Sequence, residues 1–215
     1  MIRLKAFLES VFMFCVLTAH AQNIDSLFVQ VPQAELPLLE TNARLDMLDL
    51  YNYKMLAKGE NVFGGNSVML KKTANHVLVK LSDVSRWEMV RVTLGNTFRY
   101  VCIHSLTEGV PYSQCHVYGV DWEIVDDVIL PKPATELFWV CNDSVSEEQQ
   151  SRLKFLLADA HVMWHWEDEK ENVPPVLVAT LVLPNLDEDM KNATRKCLRS
   201  IAYKWNGSAF EKCGL

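Results

Sequence analysis

The chain has 215 residues, 21 Lys+Arg against 27 Asp+Glu, 49% hydrophobic and 22% charged residues, and a net charge of −6. These are the proportions of an ordinary globular protein, and with only 8 Gly and 8 Pro they exclude collagenous, disordered and low-complexity chains. The acidic balance and the lack of a basic tract argue against a nucleic-acid partner, which needs a cationic face for phosphates.

Arg3 and Lys5 precede an apolar run from Ala6 to Leu17 that leads into Ala19-His20-Ala21, the pattern of a secretory signal peptide over residues 1–21. The run is about a dozen residues and contains Glu9, short of the roughly 20 that span a bilayer. Cys15 follows Phe12-Met13-Phe14, which does not suit lipid attachment. The expected product is a mildly acidic exported chain, residues 22–215, folding as one domain. Its longest later apolar stretch, Val176 to Leu183, is a buried strand rather than a transmembrane segment.

The exported part opens with a helical stretch. Asn42 is a plausible cap for a helix over Ala43 to Leu56, with Leu45, Leu48 and Met55 on the apolar stripe and Arg44, Asp46 and Asp49 on the polar side. From Ser67 to Val125 β-branched and aromatic residues alternate with polar ones, broken at Asn75, Gly95-Asn96 and Glu108-Gly109, which predicts an antiparallel meander of about five strands. Within it Trp87 and Met89 share one face while Val90, Val92 and Leu94 take the other. Either one face packs on helices and the other binds something, or a sandwich buries both. Six tryptophans, Trp87, Trp122, Trp139, Trp164, Trp166 and Trp205, supply aromatic surface for core or interface.

Export makes the cysteines candidates for pairing, and five follow the signal segment: Cys102, Cys115, Cys141, Cys197 and Cys213. A turn centred on Glu108-Gly109 sets Cys102 opposite Cys115, as a bridge or as two packed hydrophobes that a one-residue slip would send to opposite faces. Cys197 with Cys213 is a second possible bridge, leaving Cys141 free.

After Pro131 and Pro133 the sequence predicts a short strand, Glu136 to Cys141, and then a capping box at Ser146-Glu147-Glu148-Gln149. Leu153, Leu156, Leu157, Ala160 and Trp164 repeat at helical spacing and carry the predicted helix to about His165. His161 and His165 would then share one helix face beside Glu167, Asp168 and Glu169, a candidate metal pair for a metal-dependent hydrolase. The motif His-Val-Met-Trp-His lacks the glutamate base of His-Glu-x-x-His enzymes, and a core helix with two histidines at its rim is the plainer reading. Neither Gly-x-Ser-x-Gly nor a phosphate-binding glycine loop is present, so no catalytic residue and no cofactor is expected. A helix over Asp187 to Leu198 points Met190, Ala193 and Cys197 into a core, and Asn206-Gly207 closes a C-terminal hairpin that sets Tyr203 opposite Phe210. Strand runs with about three packed helices and no βαβ alternation make the fold α+β, mainly antiparallel.

The residues Ile24-Asp25-Ser26-Leu27-Phe28, Val31-Pro32, Leu36-Pro37-Leu38-Leu39, Asn42 to Asp49, Tyr118, Asp121-Trp122 and Tyr203-x-Trp205-x-Gly207-x-x-Phe210 resemble a Bacteroidales family of exported proteins, the domain of unknown function 3256 family. The chain departs from it at Gly119-Val120, where the family carries threonines. The resemblance implies only a compartment, a Gram-negative periplasm or cell surface, since the family has no assigned activity. In that setting Asp25-Ser26-Leu27 and Asp143-Ser144-Val145 look like Asp-Ser-aliphatic O-glycosylation acceptors, with Ser26 and Ser144 the modified residues or ordinary helix and turn residues. The expected function is a non-catalytic periplasmic or cell-surface binding or accessory module with an envelope protein as a possible partner; the alternatives are the hydrolase above and a structural envelope component.

Overall fold

The computed structural model describes residues 23–109, 111–141, 144–167, 175–183 and 185–214; the signal peptide expected over residues 1–21 lies outside them. Among the described residues four helices and two antiparallel sheets make an α+β fold, one helix more than the sequence pattern suggests. No helix among the described residues is long and apolar enough to cross a membrane.

Helix α1 (Ile24–Gln30) starts where the Asn23 side chain accepts from the Asp25 amide, and it buries Ile24, Leu27 and Phe28, one stripe at i, i+3 and i+4. Helix α2 (Thr41–Asn52) begins a residue before Asn42 and ends before Met55, which is exposed, as is Leu45. Its buried residues are Arg44, Met47 and Leu48. The stripe is therefore rotated from the one expected, because Arg44 serves the end of α1 instead of solvent.

Strands β1 (Lys58–Glu60), β2 (Asn66–Lys72), β3 (His76–Lys80), β4 (Ser85–Leu94), β5 (Thr97–Leu106) and β6 (Tyr112–Tyr118) form a six-stranded meander in chain order, the predicted strands plus the short edge β1. Gly59 lets β1 lie against α2: a Cβ there would sit 3.0 Å from the Ala43 carbonyl oxygen. The second sheet has the order β10-β9-β8-β7, from β7 (His161–Glu167), β8 (Val176–Val182), β9 (Ile201–Trp205) and β10 (Phe210–Cys213). Helices α3 (Glu147–Leu156) and α4 (Glu188–Cys197) pack together over Leu153, Met190, Ala193 and Cys197.

Strands β4 to β6 of the first sheet are covered on both sides. Trp87, Met89, Val77, Val79, Tyr100 and Cys102 face α1, α2 and the loop between them, while Val90, Val92, Val101, Ile103 and Val117 face Trp166, Leu177, Ala179 and Ile201 of the second sheet. Trp87 is thus core, 6.0 Å from Phe28 between ring centres, and offers no ligand surface. Strand β7 has a strand partner on one side only, and polar side chains of the first sheet cap its other edge. The Trp164 amide donates to Ser113 Oγ (3.1 Å), and the Trp166 amide donates to Glu88 Oε2 (2.9 Å), which also pairs with His76 (3.6 Å). Capping the Trp164 and Trp166 amides removes two of the donors that a foreign strand would pair with.

Three local predictions fail for identifiable reasons. The capping box at Ser146 forms, but α3 stops at Leu156, a 3-10 turn takes Leu157–Asp159, and His161 to Glu167 is strand β7. Trp164 fits both a helical and an alternating pattern; Val162, Trp164 and Trp166 all face the inter-sheet core, so pairing with β8 decides it. Glu136 to Cys141 is a 3-10 turn, Thr135–Phe138, followed by a single bridge from Trp139 to Leu198. In the C-terminal hairpin Phe210 pairs with Trp205, and Tyr203 with Lys212, a shift of two residues that keeps every face. The Asn206 side chain causes it by accepting from the Ser208 and Ala209 amides, both at 2.9 Å, which builds a longer loop.

Candidate functional site

On strand β7 His161 and His165 point to the same outward side but lie roughly 13 Å apart at about 3.3 Å per residue, too far to grip one ion. His165 instead holds Glu167 at 3.1 Å. Among the described residues no group of three or more His, Cys, Asp or Glu side chains converges as a metal site; Asp168 and Glu169 lie outside them.

The cysteines pair differently from either expected bridge. In the β5-β6 hairpin Cys102 faces His116, and Cys115 faces Ile103. That is one residue off the predicted register, because five residues instead of four connect the strands. Cys102 and Cys115 therefore sit on opposite faces as free thiols, Cys102 in the helix-side core and Cys115 against the inter-sheet core. Burial pushes Cys115 up to about 12 and Cys102 well above its usual range, so both are inert. Cys213 is also free and opposes Ala202, while the disulfide joins Cys141 to Cys197. The Val140 amide donates to the Cys197 carbonyl (2.8 Å) and Trp139 bridges Leu198, long-range contacts that no local pattern announces. Closing a loop of 56 residues should stabilise the fold by about 2–4 kcal/mol. Cys141→Ser is accordingly expected to lower the urea midpoint and to abolish the effect of reductant on it, whereas Cys213→Ser should change neither.

Ser26 is exposed on helix α1, and Ser144 is exposed in the turn before α3; Asp143 lies outside the described residues.

The most organised polar cluster was not legible in the sequence. Pro32 starts a turn in which its carbonyl accepts from the Glu35 and Leu36 amides, and this drives the Glu35 side chain under the first sheet. The carboxylate, 7% exposed, accepts from Trp87 Nε1 (3.1 Å), from His104 Nε2 (2.9 Å) and from the Tyr118 hydroxyl. His116 Nδ1 lies 3.4 Å from the Tyr118 oxygen, and Gln114 Nε2 lies 2.8 Å from His116 Nε2. Burial alone raises the Glu35 pKa, but the bonds from His104, Tyr118 and Trp87, and the charge of His104, outweigh it and hold the carboxyl below its usual value. Burial, reinforced by Glu35, pushes the Tyr118 phenol up, so it stays protonated and donating.

These protonation states orient the chain of bonds. Ionised Glu35 accepts only, so His104 carries its proton on Nε2 and Tyr118 gives its own to Glu35. Tyr118 then accepts from His116 Nδ1–H, and His116 Nε2 accepts from the Gln114 amide. His104 Nδ1 is left as an acceptor when the ring is neutral. The histidine borders an open cleft of about 260 Å³ whose apolar walls include Pro37, Leu38, Leu81, Leu106 and Tyr112. One signal for this centre was present: His104 alternates with Tyr100 and Cys102 on a core-facing side of a strand, where a polar residue needs a partner.

The model of a family described as a protein of unknown function, DUF3256, matches residues 16–210. No curated protein matches the chain. Among solved structures it is similar to a domain of an uncharacterized protein from Porphyromonas gingivalis W83, at 16% identity and a TM-score of 0.67, covering 88% of this chain and 97% of that one. At that identity the likeness establishes the fold alone.

Proposed function

We propose, for a chain that belongs to the DUF3256 family of proteins of unknown function, that it acts as an exported, non-catalytic binding module of the cell envelope, with the cleft beside His104 as its ligand site. The observation that carries this reading is the fixed His104 ring, held through Nε2 by an ionised carboxylate and bordering an apolar cleft. Apolar walls of Pro37, Leu38, Leu81, Leu106 and Tyr112, with Ser85, Arg86, His104, Ser105 and Gln114 among them, match an apolar peptide segment whose backbone groups hydrogen-bond to the polar residues. The catalytic alternative rested on His161 and His165, which stand too far apart to share an ion. Export is supported by the charged and apolar opening up to Ala21, and by a disulfide, which persists in oxidising compartments.

The test is an NMR titration of the purified protein with the acetylated, amidated peptide Leu-Val-Phe, paired with mass spectrometry of the protein from its native envelope fraction. Shifts should centre on Leu38, Leu106 and Tyr112, and Leu106→Ser, an exposed position, should weaken binding about tenfold, or about 1.4 kcal/mol. Shifts centred elsewhere, or none, sink the site. An intact Met1 in the cytoplasmic fraction sinks export, whereas an envelope species starting at Gln22 supports it.

A further inference from the structure

A second concavity, of about 540 Å³, lies between the 3-10 turn Thr135–Phe138 and the end of helix α3, within the about 300–1,000 Å³ that small-molecule sites span. Its walls are Thr135, Glu136 and Trp139 on one side and Lys154, Leu157 and Ala158 on the other. We infer that this groove binds a neutral pyranose sugar, which stacks on the Trp139 indole and hydrogen-bonds through its hydroxyls to Glu136, Thr135 and Lys154.

The chemistry of the walls carries the assignment. A pyranose has an apolar C–H face and a rim of hydroxyls that both donate and accept, and the groove offers one indole, a carboxylate acceptor, an ammonium donor and a hydroxyl that does either. One acid and one base leave the groove without net charge. An anionic sugar would meet Glu136 and a cationic one Lys154, so a neutral ring is favoured.

In the unliganded protein Lys154 Nζ stands 5.3 Å from the centre of the Trp139 ring. Lys154 is exposed, and such a cation–π contact is worth only about 0.5–1 kcal/mol, so the ammonium can yield the indole face and take up a hydroxyl at the rim. The indole itself is held in place. Phe138 beside it is fully buried, the Arg199 amide donates to the Phe138 carbonyl (2.9 Å), and Trp139 bridges Leu198 next to the Cys141–Cys197 disulfide. A platform fixed by backbone bonds loses little entropy when a ligand stacks on it.

This site shares no wall with the His104 cleft, so either can fail alone. The experiment is saturation-transfer NMR of the full exported chain with maltose, cellobiose and lactose, each at about 10 mM, where even a millimolar Kd gives clear occupancy. At least one disaccharide should receive saturation, strongest on its ring C–H protons, and should quench tryptophan fluorescence in a saturable way. Trp139→Ala should abolish the transfer, and Glu136→Ala, an exposed change that leaves the fold intact, should weaken binding at least tenfold. No transfer to any of the three sugars, or transfer unchanged by Glu136→Ala, overturns the assignment.

Discussion

Glu35→Ala is expected to destabilise the protein by about 3–5 kcal/mol, a large share of the stability of a domain this size. The substitution removes the common acceptor of Trp87 Nε1, His104 Nε2 and the Tyr118 hydroxyl, and leaves these donors without their partner under the first sheet. Glu35→Gln keeps the shape and one acceptor but aims an N–H₂ group at a donor, so a loss of about 1.5–3 kcal/mol is expected. The two variants also isolate a pH effect. Because the folded protein holds the Glu35 carboxyl below its ordinary value, the unfolded chain takes up the proton first as the pH falls. The stabilisation is therefore complete above the unfolded pKa, near 4.5, and is lost as pH falls through the folded value. Urea midpoints measured from pH 7 down to about pH 3 should drop more steeply for the wild type than for Glu35→Gln. Parallel curves would mean that the carboxylate is not held ionised by its donors.

Arg44→Met should cost about 3–5 kcal/mol although no carboxylate is lost with it. The guanidinium is fully buried and donates to the carbonyls of Leu39 (2.9 Å), Val29 (3.3 Å) and Val31 and to Gln33 Oε1 (3.1 Å). Val29 and Val31 lie at the C-terminal end of α1, where unpaired carbonyls and the helix dipole favour a cation. One side chain on α2 thus ties the end of α1 to the loop that carries Glu35. Arg44→Lys should recover less than half of the loss, since a single ammonium cannot span acceptors placed around a planar fork. Hydrogen exchange should show faster opening at Leu36 and Leu39 in Arg44→Met, and binding at the His104 cleft should weaken with it, because Pro37 and Leu38 belong to the same loop. Unchanged exchange there would place the role of Arg44 in packing alone.

The same residues owe their roles to partners that no local pattern announces. The helical pattern sends Arg44 to solvent, where charge normally goes, and the helix end that reverses this preference, 13 to 15 residues earlier, shows in neither pattern nor spacing. Glu35 sits in a short loop between two prolines, with nothing to distinguish it from a solvated acid until Trp87, His104 and Tyr118 arrive from three strands. The alternation around Trp87 is compatible with both outcomes, and the second sheet closes the one that left a face free. The hairpin cysteines show how narrow the margin is: the turn was located, yet one extra loop residue sent Cys102 and Cys115 to different cores.

By itself the sequence determined what depends on short-range chemistry. Alternation with β-branched and aromatic residues specified the meander, Ser146 and Gln149 specified the start of α3, and Asp187 with Met190, Ala193 and Cys197 specified α4. These features are legible because each is set by steric preference or by a hydrogen bond within a few residues. Tertiary structure alone decided that His161 to His165 lie in strand β7 and not at the end of a helix, the pairing of Cys141 with Cys197, the burial of Arg44 and the gathering of donors around Glu35. In each case the deciding partner lies outside the residue's own helix or strand, and its contribution of a few kcal/mol exceeds the tenths by which local propensities differ.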